Sequence, residues 1–285
     1  RVAARGARVR TRVRGWMTDR RAIVISLIPI IAIVALVAGA YATVMVRPVP
    51  ATASPLSTSQ AAAQGWLIDN ADPGQRVLVD AALVPGLVAA GWAAGDVSTA
   101  GDASATAWSD IDYVVTGGAG ADATTDAAVQ NSLAVASFGD LDVRRVVPEG
   151  VPVAEASAQA DALTRREFGA QIARNPAVEM STPHRVAFAG GRVDERISAV
   201  LGALAAVGVV TVTDLPVIAG EESGTRRQVA LSQVGDVSLV EGDEPSAQAR
   251  AIFDALSGDY ALDALAVDGA DLVLRFAPPT DTPPE

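Results

Sequence analysis

Residues 22–46, AIVISLIPIIAIVALVAGAYATVMV, constrain the chain more than any other segment, because 25 consecutive residues carry no charge. A helix that rises about 1.5 Å per residue crosses the roughly 30 Å hydrocarbon core of a bilayer within that length. A buried core helix is disfavoured, since soluble helices rarely run so far without a charge. A cleaved signal peptide is the stronger rival, but its apolar region usually has about 7–15 residues. The segment therefore predicts an uncleaved transmembrane anchor.

Charge is distributed unevenly on the two sides of this segment. Residues 1–47 contain nine arginines and one acid, a net charge of +8. The remaining 13 arginines and 32 acids give residues 48–285 a net charge of −19, so the whole chain carries −11. The positive-inside rule places the arginine-rich arm, residues 1–21, in the cytoplasm beside anionic headgroups, and the rest on the extracytoplasmic side of the cell membrane. The acidic part repels phosphate backbones, which argues against a nucleic-acid partner.

The chain beyond the anchor divides into a proline-rich linker (47–59), two α/β units (60–150 and 151–277) and a tail (278–285) whose composition predicts disorder. Each unit shows the order helix, strand, helix, strand, strand, which is typical of a sheet with helices packed on it. The sequence PEGVP near residues 148–152 predicts the boundary. The predicted fold class is α/β, with a single transmembrane helix followed by two similar Rossmann-like units with mixed sheets.

Periodicity and turn residues predict the individual elements. Helices are expected at 60–70, 81–90, 125–131, 154–174, 193–206 and 245–256. Strands are expected at 77–79, 111–115, 133–138, 141–147, 209–213, 227–231 and 272–276. The Gly139-Asp140 pair between two of these strands predicts a β-hairpin.

Three stretches carry a resemblance to a known family: GWLIDNADPGQRVLVDAALVPGLVAAGW, WSDIDYVVTGG and NSLAVASFGDLDVRRV. They resemble the extracytoplasmic soluble region of bacterial polytopic glycosyltransferases of the dolichyl-phosphate-mannose mannosyltransferase-like type. Later stretches, QIARNP, GRVDERISAVLGALA and DLPVIAGEESGTRRQVAL, resemble single-anchor envelope proteins of GC-rich Gram-positive bacteria. Those glycosyltransferases place their chemistry in a many-helix membrane domain, whereas this chain has one predicted membrane helix. The resemblance therefore implies an accessory or binding module and carries over no catalytic residue.

A glycine cluster follows the strand predicted at 111–115, and residues 118–123 fit the dinucleotide fingerprint G-x-G-x-x-A. Asp140 lies 20 residues beyond Gly120, near the position of a ribose-binding acid. Asp122, however, stands where a pyrophosphate would approach, and the following helix is short and polar. A structural glycine turn is therefore favoured, and no cofactor is predicted.

Carboxylates offer the main candidates for a ligand site. Asp110 and Asp112 flank Ile111 and would share one face of a strand, where they could serve as acid and base or bind a cation. Asp80 follows the strand at 77–79, at the edge where open α/β sheets bind ligands. The alternative for each aspartate is a solvated or turn-capping role.

The loop after residue 216 holds charged residues on both sides of Ser223-Gly224. Loops on a rigid scaffold often carry function, so these four residues are candidates for recognition, with a solvated charged turn as the alternative: Glu221, Glu222, Arg226 and Arg227. His184 is the one histidine and there is no cysteine, so a zinc site is not predicted. No G-x-S-x-G motif accompanies His184 to suggest a serine hydrolase.

These observations favour a membrane-anchored, non-catalytic module that binds an envelope glycan or an envelope-assembly protein. One alternative is a glycosyltransferase-related or hydrolytic enzyme that uses Asp80, Asp110 or Asp112. A second alternative is a purely structural envelope anchor.

Overall fold

The computed structural model describes residues 55–101, 106–117 and 123–278. This part of the chain is an α/β protein with two mixed sheets. The predicted arm, the predicted anchor, most of the linker and most of the tail lie outside the described residues, as do the glycines of the fingerprint at 118–122. None of the helices within the described ranges is long and apolar enough to cross a membrane.

The first half of this region contains three α-helices and five strands. The helices are α1 (Thr58–Asn70), α2 (Val84–Ala89) and α3 (Ala123–Gln130). The strands are β1 (Val77–Leu78), β2 (Val97–Ser98), β3 (Tyr113–Thr116), β4 (Ser132–Phe138) and β5 (Leu141–Val146). They form one sheet in the order β2-β1-β3-β5-β4, in which β2, β1 and β3 are parallel and β5 and β4 are antiparallel to their neighbours.

Both faces of the first sheet are buried. Val77 and Val115 point to a cluster that includes Trp66 and Leu67 of α1. Their neighbours on the same strands, Leu78 and Val114, point to the opposite face. They belong to a second cluster that includes Ala128 of α3. The first half is therefore a three-layer structure, which explains why its central strands are continuous apolar runs.

Helix α4 (Val151–Arg174) joins the two halves, and the second half continues to residue 278. Its further helices are α5 (Thr182–Ala189), α6 (Glu195–Ala205) and α7 (Ala247–Phe253). Its strands are β6 (Val178–Glu179), β7 (Val210–Asp214), β8 (Gln228–Val234), β9 (Val237–Ser238), β10 (Val240–Glu241), β11 (Glu244–Pro245), β12 (Ala264–Asp268) and β13 (Asp271–Arg275). The main sheet has the order β12-β13-β8-β7-β6, with β9 paired to β8 and β10 paired to β11 in a separate hairpin.

The second sheet buries one face in a single cluster. Val210 and Val212 of β7 and Leu231 of β8 lie in this cluster with Phe188 of α5 and Leu201 of α6. The intervening residues Thr211 and Val273 are only half-buried. The strands accordingly alternate between apolar and more polar residues, the pattern of a sheet with one packed face.

Most of the predicted elements are present, with shifted ends. Helices predicted at 60–70, 154–174 and 193–206 correspond to α1, α4 and α6, and the Gly139-Asp140 hairpin joins β4 to β5. The prediction did not include β2, β6, α5, β9, β10, β11 or β12. Five of these seven elements are strands of only two residues, too short to show a period of alternation.

Candidate functional site

A buried charge network joins the two halves of the described region. The guanidinium of Arg227 donates to both carboxylate oxygens of Glu221, at 2.9 Å from Nε to Oε2 and 2.7 Å from Nη2 to Oε1. Trp66 of α1 donates its indole N–H to the same Oε1 over 2.7 Å, and Arg227 also donates to the side-chain oxygen of Asn70. Only 3% of the Arg227 surface is exposed, so water does not satisfy these groups.

This network gives the two loop residues a structural role. A buried ion pair is stable only when nearly all its donors and acceptors are paired, because desolvation of each ion costs several kcal/mol. Arg227 completes its set by donating from Nη1 to the carbonyl oxygen of Phe276 at 2.5 Å. Trp66 in turn packs edge-on against Tyr113, with ring centroids 6.0 Å apart. Burial raises the pKa of the Tyr113 phenol, although nearby Arg145 opposes that shift.

A second arginine contacts Phe276 and the residue after it. Arg196 stacks its guanidinium 5.1 Å from the centroid of the Phe276 ring and donates to the carbonyl oxygen of Ala277 at 2.7 Å. Its partner is the buried carboxylate of Asp194, which also accepts from the backbone N–H of Arg196. Asp194 is therefore the N-cap of α6. Arg227 and Arg196 thus donate hydrogen bonds to the carbonyl groups of Phe276 and Ala277, the two residues that follow β13.

The other two loop candidates face the surface. The exposed carboxylate of Glu222 accepts from the backbone N–H of Gly220 at 3.0 Å, and backbone hydrogen bonds lower its pKa. Arg226 pairs through its backbone with Arg192 and Asp194, and its side chain is half-buried. Its buried Nη1 donates no hydrogen bond to any residue that the structure describes. The four candidates therefore divide into a buried pair and a surface pair.

Asp110 and Asp112 lie at the beginning of β3. The prediction that they flank a strand residue on one face is wrong, because residues 108–110 form a 3₁₀ turn and the strand starts at Tyr113. Asp112 accepts from the backbone N–H of Arg76 at 2.7 Å, whereas Asp110 lies 3.8 Å from the Arg76 guanidinium. Arg76 is also 4.0 Å from Asp96. Both aspartates thus fasten the start of β1 to the start of β3.

Asp80 lies at the opposite edge of the same sheet. Leu78 pairs with Val114 in the parallel register, so Asp80 follows the carboxyl end of β1 while Asp112 precedes β3. Its carboxylate accepts from the backbone N–H of Ala82 at 2.8 Å and caps the turn that leads to α2. The structure does not bring Asp80 together with Asp110 and Asp112.

No group of three or more His, Asp or Glu side chains in the described residues could hold a metal ion. His184 contacts Asp214, at 3.4 Å from Nε2 to Oδ1, and its Nδ1 is buried without a hydrogen bond to the described residues. Ser181 caps α5 by accepting from the backbone N–H of His184.

An exposed apolar patch, which the sequence did not predict, lies at one end of the second sheet. Val207 is 72% exposed, Val237 is 41% exposed and Val209 is 39% exposed. The backbones of Gly208 and Gly235 touch between them, and Gly235 donates to the carbonyl of Val209 at 2.7 Å. We call these three valines the strand-end patch. Glycine at 208 permits this contact, since a Cβ there would lie 3.0 Å from the Gly235 backbone.

Acidic residues lie toward the same end of the second sheet as the strand-end patch. Asp236 lies in the turn between β8 and β9, directly before Val237. The β12–β13 turn, with Asp268 and Asp271, lies toward the same end of the sheet, because β13 runs antiparallel to β8 and Leu272 pairs with Leu231 in the middle of β8. The sequence analysis did not predict this patch, because it assigned Val209 to a strand. The alternation of apolar and polar residues along a sequence does not show whether a particular valine is exposed.

No family model, curated protein or solved structure matches the chain.

Proposed function

We propose that the chain is a membrane-anchored extracytoplasmic module, without a catalytic role of its own, that binds a partner protein in cell-envelope assembly. The observation that carries the binding role is the strand-end patch. Three exposed valines, with the exposed Asp236 next to Val237, resemble the apolar centre and polar rim of a protein–protein interface. The complementary partner surface would have an apolar centre and arginine or lysine residues at its rim.

The tryptophans that the structure describes favour a protein over a glycan as the ligand. Sugar rings pack on the exposed faces of aromatic side chains, which combine an apolar body with a polar handle. Trp66 and Trp92 are 4% and 3% exposed, and their indole N–H groups donate within the fold. Trp108 is half-buried and packs beside the cluster of Leu78 and Val114. These rings are occupied by the core.

The positions of the carboxylates weigh against the enzyme alternative. An acid and a base must converge on one reacting group, within about 2.6–3.2 Å of the proton that each transfers. Asp80 and the Asp110–Asp112 pair are at opposite edges of the first sheet and each already accepts or neutralises a group of the fold. Because these three carboxylates already bond or pair with groups of the fold, their positions support a structural role.

The anchor part of the proposal rests on residues 22–46 and the arginines before them. In this arrangement the arm 1–21 stays in the cytoplasm, the helix crosses once, and the two α/β units, Rossmann-like in their parallel strands, are outside. A reporter fused after Glu285 should be active only outside the cytoplasm. A reporter active in the cytoplasm would overturn the topology.

The binding role is testable with a photoreactive amino acid placed at Val207 in the full chain and irradiated in native membranes. The matched control is Val217, which is 46% exposed but lies away from the patch. We expect a specific protein adduct from position 207 that Val237→Asp abolishes and Val217→Asp does not. Identical adducts from positions 207 and 217, or adducts that contain only glycans, would rule out protein recognition through these valines.

A further inference from the structure

The loop that joins β7 to β8, residues 215–227, contacts both halves of the described region. We call this loop the strap. Its two ends belong to the second half, because Leu215 lies in the main core cluster of that half and Arg227 donates to the carbonyl oxygen of Phe276. Between these ends the strap reaches the first half.

The middle of the strap contacts the first half in three ways. Ile218 packs against the core cluster that contains Trp66. The carbonyl of Gly220 accepts a hydrogen bond from the backbone N–H of Ser137 in β4, which is the edge strand of the first sheet. Glu221 supplies the acceptor for the indole N–H of Trp66. Each of these contacts covers or pairs a group of the first half.

We propose that the strap makes the two halves one cooperative unit, so that the first half does not stay folded when the second half unfolds. If the strap leaves, the indole N–H of Trp66 loses the acceptor that the structure gives it, and the backbone N–H of Ser137 loses its partner. A buried donor without an acceptor destabilises the fold that contains it. The boundary at residues 148–152 then separates two sheets and not two folding units.

The strap also links the first half to the strand-end patch. It leaves the carboxyl end of β7 and enters the amino end of β8, whereas Val209 directly precedes β7 and Val237 follows the turn after β8. The two strands therefore run between the patch and the strap. A ligand that binds only the folded state stabilises everything that unfolds together with its site. A partner at the patch should thus stabilise the first half as well, a consequence that, unlike the strap itself, rests on the proposed function.

The chain contains separate probes for its two halves. One of its four tryptophans, Trp16, belongs to the predicted arm, and the others belong to the first half: Trp66, Trp92 and Trp108. Its one histidine, His184, lies in α5 of the second half. In a chain that carries Trp16→Phe, tryptophan fluorescence therefore reports the first half, and the NMR signal of isotope-labelled histidine reports the second half.

The first experiment follows urea unfolding of this full chain in detergent, at one fixed pH, with both probes. Leu201→Ala weakens the core of the second half, where Leu201 is completely buried. We expect the fluorescence and histidine midpoints to coincide in the parent and to fall by the same amount in the variant. Val212→Ala, a smaller truncation in the same cluster, gives the same test if Leu201→Ala does not fold. A fluorescence midpoint that stays at the parent value while the histidine midpoint falls would overturn the proposal.

The second experiment assigns the coupling to the strap. Ile218→Asp places a charge against the core cluster of the first half and should expel the strap from it. Val217→Asp is the matched control, because Val217 is the neighbouring strap residue and is 46% exposed. We expect Ile218→Asp to lower the fluorescence midpoint below the histidine midpoint, and Val217→Asp to leave the two midpoints together. Midpoints that stay together in both variants would contradict the role of the strap, and the adducts formed at Val207 test the proposed function independently of either result.

Discussion

The two sheets of the molecule differ in how many of their faces are covered by helices. The first sheet is covered on both faces, by α1 on one side and α3 on the other, and consecutive residues of its parallel strands β1 and β3 are buried. The second sheet covers one face with α5 and α6, and its strands alternate. The difference shows that apolar runs and alternation within one chain report the number of packed layers.

The junction between the sheets should be the most sensitive part of the molecule. Arg227→Met removes the cation from Glu221 and leaves that carboxylate buried beside Trp66, which should lower the free energy of unfolding by about 3–5 kcal/mol. Urea unfolding followed by tryptophan fluorescence measures the change. The double variant Glu221→Leu with Arg227→Met should recover much of the loss, because no charge then remains buried. A single variant as stable as the parent would mean that the network is not desolvated.

The position of Gly220 gives the next largest effect. Its φ of +86° is unfavourable for other residues, and a Cβ there would collide with the ring of Phe138. The carbonyl of Gly220 also accepts from the backbone N–H of Ser137 at 2.9 Å, so this turn ties the second half to β4. Gly220→Ala should cost about 1–3 kcal/mol of stability. Gly242→Ala, also at positive φ but with open space around it, is the control for the backbone cost alone.

Identical substitutions on the two sheets sharpen the comparison directly. Val114 of β3 is completely buried against the α3 side, and Val273 of β13 is half-buried on the uncovered face of the second sheet. Val114→Ala should cost about 2 kcal/mol, whereas Val273→Ala should cost less than about half of that. Thermal unfolding of both variants gives the ratio. Equal costs would show that the outer face of the second sheet is covered by a layer that these residues do not reveal.

How far the sequence predicted this structure depended on the range of the interactions involved. The strand at 77–79 was predictable as a short apolar run and the hairpin at Gly139-Asp140 from its turn residues, because both signals act over a few residues. Glu221 and Arg227 were identified as special, but their role depends on Trp66 and Asn70, which are 155 and 157 residues away along the chain. No local pattern encodes such a contact. The same limit explains why Asp80 and Asp112 could not be assigned to opposite edges.

The smallest predicted effect concerns two glutamates of the second half whose pKa values move in opposite directions. Burial, and then the neighbouring Asp194, raise the pKa of Glu195, so the folded state binds its proton more tightly than the unfolded chain does. Stability from this group is therefore gained as pH falls through the range just above 4.5 and lost as pH rises. Glu222 has a lowered pKa, so its contribution is present above its ordinary value and lost as pH falls.

Substitution by glutamine isolates each contribution. Glu195→Gln should remove the fall in stability with rising pH, and Glu222→Gln should remove a rise, so the two variants should shift the slope of stability against pH in opposite directions between about pH 3 and 6. Both groups are partly or fully exposed, and water screens their interactions, so each slope change should be small. Unfolding midpoints in urea at several pH values measure the slopes. Changes of the same sign in both variants would contradict the opposite directions of the two pKa shifts.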